Sequence, residues 1–215
     1  KRLPRKNALN LNGKPLVAWS IEAGLKSKYI DKVVVTSDDS EILGIAESSG
    51  VSVINRPVEL ASDTATTFDA IKHTINNVNS YDYIVLLQPT SPLRTAQHID
   101  KAIETLFEKY ADAIVSVCEV DHSPLWSNSL PKDGNLKNFI RKEMMNKRSQ
   151  DLEDCYRLNG AIYICESERL LEEGSFFLKE SVYAYKMSKV DSIDIDDIYD
   201  FDLASFYLTQ KNKSL

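Results

Sequence analysis

The strongest constraint on the fold is an apolar run without charged residues, YIVLLQ at positions 83–88. A strand of this kind is buried on both faces, which is typical of a parallel sheet covered by helices. Shorter strand-like runs at 32–37, 51–54, 113–120 and 157–166 alternate with helical patterns along the chain. Such alternation predicts βαβ units. We therefore predict an α/β, Rossmann-like fold whose mostly parallel sheet carries helices on both faces.

The intervening segments have the apolar spacing of amphipathic helices, at 40–50, 66–78, 95–110, 167–174 and 196–210. Pro15 marks one further helix start, because proline is well tolerated in a first helical turn. In an open α/β sheet, ligands bind at the carboxyl ends of the strands. We therefore expect the functional residues in the loops that follow the predicted strands.

Length and charge narrow the class of protein. The chain has 215 residues, which suits one α/β domain, and its net charge of −6 argues against a general nucleic-acid binder. No apolar stretch has the length of a membrane span and no segment has the pattern of a signal peptide, so we predict a cytoplasmic protein without a membrane partner. The three cysteines match no zinc-binding spacing, which favours buried thiols in a reducing compartment.

The alternation of strands and helices stops in the segment 122–156. A Pro-Lys-Asp-Gly turn between two apolar stretches predicts a hairpin there. Trp126, Met144 and Met145 follow no helical or strand period, and unpatterned apolar residues of this kind are typical of an oligomer contact. We predict an α/β domain formed by 1–121 and 157–215, with 122–156 as a dimerisation excursion.

Two stretches carry charges suited to phosphate chemistry. The first is the basic start KRLPRK, since cationic side chains beside backbone N–H groups make a phosphate site, although a basic terminus is commonly only solvated. The second is SIDIDD at 192–197, with three carboxylates inside five residues. Both stretches become informative only if the fold brings them together.

The spacing within SIDIDD separates a metal site from a helix start. In extended backbone, residues two apart face the same side, so Asp194 and Asp196 converge while the two isoleucines pack inward. Two adjacent carboxylates repel unless a cation lies between them, and Mg²⁺ prefers carboxylate oxygens together with phosphates and water. The alternative is an acidic helix N-terminus capped by Asp196 or Asp197. We expect Asp197 to cap the last helix, and Asp194 and Asp196 to bind the metal.

Several motifs together resemble a known family. They are, in chain order, LPRKN, GKPL, SIEA, VVVTSDD, RPVELASDTATT, LLQPTSPLRT, NGAIYI and DSIDID. They resemble the cytidylyltransferases that activate nine-carbon acidic sugars, most closely the acylneuraminate cytidylyltransferases. The resemblance extends over almost the whole chain, and LLQPTSPLR together with ELASDTA is its most specific part.

The resemblance implies a nucleotidyltransferase fold and an enzyme. The expected reaction transfers CMP from CTP to the anomeric hydroxyl of a nonulosonic acid, with N-acetylneuraminate favoured, and releases pyrophosphate. The implied cofactor is Mg²⁺, the implied substrates are CTP and an acidic nine-carbon sugar, and the implied assembly is a homodimer. Family members also have a strand and a glycine-rich phosphate loop before the position of Lys1. The Arg and Ser of that loop therefore have no counterpart in this sequence.

On the nucleotide side, the resemblance assigns lysines to the triphosphate, where an ammonium group stabilises the charge of the leaving pyrophosphate. Arg56 corresponds to an arginine that contacts cytosine, and its fixed fork of donors suits a pyrimidine carbonyl. Lys6 and Asp194 are the expected catalytic residues. The expected nucleotide-binding residues are Lys1, Asn7, Arg56, Thr66 and Thr67. The general base stays open between Asp194 and metal-bound hydroxide.

On the sugar side, a primary amide at the end of the buried strand faces the expected crevice. The Phe-Phe pair suits either a sugar pocket or the core. Family members lend an arginine from the excursion to the partner's site, and two arginines of this chain are candidates. The expected sugar-binding residues are Gln88, Arg148, Arg157, Asn159, Tyr163, Phe176 and Phe177.

Other readings of the resemblance remain. The enzymes that activate Kdo carry an Asp-Glu-Pro stretch where this chain has QPTSPLR, and pseudaminate enzymes follow RSQDL with GQFYW instead of NGAIYI. Legionaminate and sialate enzymes share NGAIYI, so this motif does not distinguish between them. A non-catalytic nucleotide-sugar binding module is the non-enzyme alternative, which the absent loop favours and the retained Lys6, Gln88 and aspartates disfavour.

Overall fold

The computed structural model describes residues 3–62, 64–148 and 151–213. Within these ranges the chain forms six α-helices, eight strands and several short 3-10 turns. The strands are β1 Asn10–Leu11, β2 Lys14–Pro15, β3 Val34–Ser37, β4 Ser52–Asn55, β5 Tyr83–Leu86, β6 Ala113–Glu119, β7 Tyr156–Glu166 and β8 Val182–Lys186. The helices are α1 Leu16–Leu25, α2 Ser40–Ser48, α3 Thr67–Asn76, α4 Ala96–Glu108, α5 Ser167–Glu173 and α6 Ile198–Lys213.

The main sheet has four strands in the order β5-β7-β6-β8. β6 and β8 are parallel, whereas β7 is antiparallel to both of its neighbours, so β5, β6 and β8 share one direction. The chain passes from β6 to β7 through the long connection at 120–155, and β7 pairs beside β6 in the opposite direction. The predicted α/β class is confirmed, and β7 is the reversed strand in a sheet whose other strands agree in direction.

Helices cover both faces of this sheet, as predicted. Ile114 of β6 packs in a core cluster with residues of α1 and α4, including Ile99 and Leu106. The residues on either side of it, Ala113 and Val115, pack in a second cluster with residues of α3 and α5. This alternation follows from the period of two along a strand. It buries both faces and leaves the strand ends for ligands.

β3 and β4 form a separate parallel pair packed on α1 and α2. Among the described strands, β3 is paired only with β4, and β5 only with β7. The open edges of β3 and β5 line the same cavity, which has a volume of about 1030 Å³ and apolar walls that include Val35 and Val85. The cavity extends to the carboxyl ends of both strands, where polar side chains replace apolar ones.

The segment between β6 and β7 is a long connection without strands or α-helices in its described part. The predicted turn forms, with the N–H of Gly134 donating to the carbonyl of Pro131 at 2.9 Å. Its flanks do not pair, so the predicted hairpin is wrong. Met145 is 67% exposed, while Trp126 and Met144 are half-buried. The role of this segment in dimerisation stays a prediction.

Two further expectations concern the chain as a whole. All three cysteines are free thiols, two of them buried. Over the described ranges, none of the helices combines the length and the apolar character that crossing a bilayer requires.

Candidate active site

A polar crevice lies at the carboxyl ends of β3 and β5, at the mouth of the cavity. Three of its polar atoms are buried without a hydrogen-bond partner among the described residues: Asn7 Oδ1, Thr36 Oγ1 and Arg56 Nε. A buried polar atom without a partner destabilises a fold, so a group of them indicates a place where a ligand completes the hydrogen bonds. The polar residues that line the crevice are Asn7, Thr36, Ser37, Arg56, Ser62, Thr66, Thr67 and Gln88.

Arg56 is oriented by the ends of both strands of the small parallel pair. Its backbone N–H donates to the carbonyl of Ser37 at 2.8 Å, and its Nη2 donates to Asp38 Oδ1 at 3.2 Å. These contacts hold one edge of the guanidinium, while Nε is buried without a hydrogen-bond partner among the described residues. The predicted role of Arg56 in nucleotide binding is compatible with this orientation.

The two predicted threonines begin α3. Thr66 forms a capping box, in which its hydroxyl donates to Asp69 Oδ2 at 2.7 Å and accepts from the Asp69 N–H at 3.1 Å. The hydrogen bonds from Thr66 lower the pKa of Asp69. Thr66 therefore fixes the helix start at the crevice wall, and Thr67 lies beside it in the first turn.

Lys6 joins the basic start of the chain to the acidic segment near its other end. Its ammonium donates to the carbonyl of Ile195 at 2.5 Å and lies 3.5 Å from Asp196 Oδ1. Arg5, which precedes it, is in the left-handed region with φ 54° and pairs with Glu41. The fold thus places the lysine predicted for the triphosphate beside a carboxylate predicted for the metal. Lys1 lies outside the described residues.

The acidic segment is extended as predicted but is anchored by a loop instead of a strand. The N–H of Ile195 donates to the carbonyl of Thr90 at 2.8 Å. Ile193 and Ile195 pack into a core cluster with residues of α1 and α6. Their inward packing turns Asp194 and Asp196 toward the opposite side. The predicted division between apolar and acidic residues in this segment is therefore present.

Asp197 caps the last helix. Its Oδ1 accepts from the N–H groups of Tyr199 at 2.9 Å and Asp200 at 3.2 Å. Asp200 returns the contact, since its Oδ2 accepts from the N–H of Asp197 at 3.1 Å. This reciprocal pattern is a capping box with an aspartate at each position. The third carboxylate of SIDIDD thus serves the helix, while Asp196 lies beside Lys6 and Asp194 lies near Gly160.

Gly160 brings the sugar-side amide and the acidic segment together. The β6–β7 ladder is interrupted, because Val115 pairs with Tyr163 but Val117 pairs with Leu158, so residues 159–162 form a bulge. Gly160 in this bulge has φ +72°, and a Cβ there would lie 2.6 Å from Gln88 Oε1 and 3.9 Å from Asp194 Oδ2. Only glycine fits so close to the amide in that backbone conformation. Gln88 Oε1 and Asp194 Oδ2 therefore both lie near the Gly160 backbone.

Asn159 has a different task from the predicted one. Its side chain is 1% exposed. Its Oδ1 accepts from Ser116 Oγ at 2.6 Å and from the Ala161 N–H at 3.2 Å, and its Nδ2 donates to Ser192 Oγ at 2.8 Å. Because the amide is buried and its hydrogen bonds are made inside the protein, the expected direct sugar contact disagrees with this geometry. Asn159 instead fixes the bulge against the acidic segment.

Aromatic side chains form one wall near Asp194. Tyr163 is half-buried and packs against Phe176, with ring centroids 5.4 Å apart. Burial, followed by the charge of Asp194, raises the pKa of Tyr163, so its hydroxyl stays protonated at neutral pH. Phe176 is 9% exposed and belongs to the core, whereas Phe177 is 53% exposed. Phe176 therefore packs in the core, whereas Phe177 lies on the surface.

The two candidate arginines lie in different places. Arg157 Nη2 donates to the carbonyl of Ser192 at 3.5 Å, at the start of the acidic segment. Arg148 is 76% exposed in the connection between β6 and β7, and its Nε pairs with Asp151 at 3.3 Å. Within its own chain, Arg157 therefore reaches the start of the acidic segment, whereas Arg148 pairs within the connection between β6 and β7.

Three other residues near the site have only weak signals in the sequence. Thr36 ends a short β-branched run, Gly160 follows an asparagine inside a strand-like run, and Arg94 follows two prolines. A glycine inside a strand pattern is the one signal that indicates a bulge or a close backbone approach. Nothing local distinguishes Thr36 or Arg94 from ordinary strand-end and loop residues.

The acidic pair has the donor chemistry for a magnesium ion. No group of three or more His, Cys, Asp or Glu side chains in the described part of the chain is arranged to hold a metal. Two carboxylates are nevertheless sufficient for Mg²⁺, which keeps waters and takes phosphate oxygens as further ligands. The donor chemistry of Asp194 and Asp196 is therefore compatible with the predicted Mg²⁺, which stays a prediction.

The sequence places the chain in one class of enzymes, the cytidylyltransferases. The family model described as Cytidylyltransferase matches residues 1–204, and the chain belongs to this family. It is 40% identical over 215 residues to N-acylneuraminate cytidylyltransferase of Escherichia coli O18:K1:H7, covering 99% of this chain and 50% of that protein. It is 33% identical over 226 residues to CMP-N,N'-diacetyllegionaminic acid synthase of Legionella pneumophila, covering 100% of this chain and 94% of that protein.

The chain spans about half the length of the N-acylneuraminate cytidylyltransferases that it matches. Among solved structures, a CMP:2-keto-3-deoxy-manno-octonic acid synthetase superimposes with a TM-score of 0.71 at 14% identity, covering 98% of this chain and 94% of that one. This likeness confirms the predicted nucleotidyltransferase fold.

Proposed function

We propose that this chain transfers CMP from CTP to the anomeric hydroxyl of a nonulosonic acid and releases pyrophosphate, with N-acetylneuraminate as the favoured acid. The observation that carries the proposal is that the two ends of one crevice carry different polar groups. Unpartnered polar atoms of Asn7 and Arg56 lie at one end, and Gln88 lines the other, where its Oε1 and Asp194 Oδ2 both lie near the Gly160 backbone. Membership of the cytidylyltransferase family and the names of the relatives support it.

At the nucleotide end, the unpartnered atoms match a cytosine. A pyrimidine carbonyl needs a donor, which Arg56 Nε supplies, and an exocyclic amine needs an acceptor, which Asn7 Oδ1 supplies. Both atoms are buried, so a base that satisfies them removes a desolvation cost that the free protein carries. This gives cytosine an advantage over a base with the opposite pattern of donors and acceptors.

At the phosphate end, Lys6 is held beside the acidic segment. Its ammonium, now shared by the Ile195 carbonyl and Asp196, is placed to neutralise negative charge that develops on pyrophosphate. Asp194 and Asp196 would hold Mg²⁺, which supplies charge neutralisation and orientation of the phosphates when bound.

The chemical step is an in-line displacement. The anomeric oxygen forms a bond to the α-phosphorus, the bond from that phosphorus to the bridging oxygen breaks, and pyrophosphate leaves with the electron pair. Asp194 accepts the proton of the attacking hydroxyl. Gln88, fixed over Gly160, and the protonated Tyr163 orient the sugar, and Arg157 offers a positive charge to its carboxylate.

The proposal includes a homodimer and a cytoplasmic location. In the dimer, the connection between β6 and β7 contacts a second copy, and Arg148 reaches the partner's crevice from that connection. The exposure of Met145 and of Arg148 supports this part of the proposal.

The test is pyrophosphate release from CTP and Mg²⁺ with a panel of N-acetylneuraminic, legionaminic, pseudaminic and Kdo acids. Asp194→Asn and Asp196→Asn should each keep the fold and lose most turnover, because the cation loses a charged oxygen ligand. Asp197→Asn is the matched control, since asparagine also caps helices well and turnover should stay near parental. Parental turnover in the first two variants at saturating Mg²⁺ would remove the acidic pair from the site.

The same assay separates the enzyme from a non-catalytic binding module. A module would bind CTP with a calorimetric signal but release no pyrophosphate with any acid of the panel. An enzyme would release pyrophosphate with at least one acid and rank the panel by kcat/KM.

A further inference from the structure

Arg94 is a buried cation beside the proposed crevice. It lies in the loop between β5 and α4 and is 2% exposed. Its Nε donates to the carbonyl of Ala161 at 3.1 Å, and its Nη2 donates to Ser20 Oγ at 2.6 Å and to the carbonyl of Gln88 at 3.1 Å. One guanidinium therefore joins α1, the end of β5 and the bulge of β7.

The burial of this guanidinium is costly for the fold. Within the described ranges Arg94 forms no ion pair, and its Nη1 has no hydrogen-bond partner. Loss of hydration lowers the pKa of Arg94 to about 10, which still leaves the side chain charged at neutral pH. A buried charge without an ion pair is expensive even when part of it is hydrogen-bonded, so its retention calls for an explanation. The groups that accept hydrogen bonds from Arg94 indicate its role.

The two carbonyls that Arg94 holds belong to the contact between Gln88 and Gly160. One is the carbonyl of Gln88 itself, which also accepts from Ser20 Oγ at 3.3 Å and from the Ser91 N–H at 3.3 Å. The other belongs to Ala161, the residue after Gly160. Arg94 therefore sets the separation between the Gln88 backbone and the bulge, and this separation decides where the Gln88 amide lies over Gly160.

We infer that Arg94 is a positioning residue for the sugar side of the reaction, acting through Gln88 and the Gly160 bulge. The inference rests on the proposed function, in which Gln88 contacts the sugar. Lysine in place of Arg94 keeps the charge but offers one ammonium instead of a planar fork, so it cannot hold all three acceptors in the same geometry. Ser20→Ala removes one of the three anchors and is the milder change.

The kinetic experiment measures KM for the acid, KM for CTP and kcat in the parental protein, Arg94→Lys and Ser20→Ala. For Arg94→Lys we expect about a 10-fold higher KM for the acid, which corresponds to the loss of about one hydrogen bond to the sugar, or about 1.4 kcal/mol. The KM for CTP should stay within about 2-fold of the parental value. Ser20→Ala should shift the same parameter in the same direction by less. Arg169→Lys, at an ion-paired position near Asp112 and Glu173, is the control that should change neither KM.

A merely structural role predicts another result. Arg94→Lys would then lower the melting temperature and the active fraction, so kcat would fall while both KM values stayed parental. Equal rises in both KM values would also overturn the inference, because the nucleotide end would be disturbed as much as the sugar end.

A second experiment needs no turnover and keeps the inference separate from the proposed function. The melting temperatures of Arg94→Lys, Gln88→Ala and the double variant form a cycle. If Arg94 positions the Gln88 side chain, the two losses combine to less than their sum, because the alanine has already removed the contact that the arginine protects. Additive losses overturn the inference. A parental protein without pyrophosphate release, together with a non-additive cycle, would overturn the proposed function and leave the positioning role supported.

Discussion

Gly160→Ala tests the closest contact in the proposed site. The new Cβ would lie 2.6 Å from Gln88 Oε1, whereas ordinary contacts begin near 3.4 Å, so the amide must move by 3.4 − 2.6 = 0.8 Å or turn away. The backbone adds its own cost, because an L-residue at φ +72° is disfavoured by about 1–2 kcal/mol. For a chain of this size that corresponds to a loss of about 2–8 °C in melting temperature.

The loss of activity should exceed the loss that the lower stability alone would cause. A reacting group displaced by about 1 Å can cost about 100-fold in rate, so we expect kcat/KM for the acid to fall by up to that factor, with CTP binding nearly unchanged. Gly50→Ala is the matched control, because Gly50 has φ +76° and nothing within 4 Å of a Cβ. It should show the backbone cost alone and parental kinetics.

The assay combines thermal unfolding with steady-state pyrophosphate release in Gly160→Ala, Gly50→Ala and Gln88→Ala/Gly160→Ala. The double variant should recover the part of the melting temperature that the overlap had removed, but not the activity. Parental kcat/KM in Gly160→Ala, with a stability loss no larger than that of Gly50→Ala, would refute the close packing of Gln88 on Gly160.

Three further predictions concern the nucleotide, acid stability and assembly. Arg56→Ala should weaken CTP binding by about 1.5–3 kcal/mol in calorimetry and leave acid binding intact, since a charge-assisted hydrogen bond is lost; unchanged CTP affinity would place Arg56 outside the site. Burial lowers the pKa of His98, so its contribution to stability is full above about pH 6.5 and is lost as the pH falls. His98→Gln keeps the capping box without the titration, so its unfolding free energy in urea should fall less on acidification; parallel pH profiles would contradict this. Sedimentation at micromolar concentration should give a dimer, and a monomer would count against the role of the 122–156 excursion.

Most helices and strands of this fold could be predicted because their apolar periodicity is local. The direction of β7 could not be predicted, since a strand buried on both faces has the same sequence pattern in parallel and antiparallel sheets. β8 was missed because Val182–Lys186 is a short edge strand with a half-exposed pattern. The hairpin at Gly134 was wrongly predicted because its turn chemistry is local, whereas strand pairing depends on partners that the flanks do not find.

The site divides in a similar way. The positions of Gln88, Arg56 and the acidic pair follow from their places at strand ends and from period-two spacing. Asp197 as a cap also follows from local chemistry. The burial of Asn159 does not, because its partners Ser116 and Ser192 are more than thirty residues away in opposite directions along the chain. Hydrogen-bond partners brought together by tertiary packing leave no local pattern.

The open edges of β3 and β5 have a consequence for amide proton exchange. Successive N–H groups of a strand point alternately to its two edges, so about half of those in β3 and β5 face the cavity instead of a neighbouring strand. These amides should exchange by local opening, while those of β6 and β7, bonded on both sides, exchange only when the sheet unfolds. A nucleotide across the carboxyl ends of β3 and β5 would slow exchange in both strands together, because it links the small parallel pair to the four-stranded sheet. If the proposed function is right, nucleotide binding would therefore be coupled to the cooperativity of the sheet.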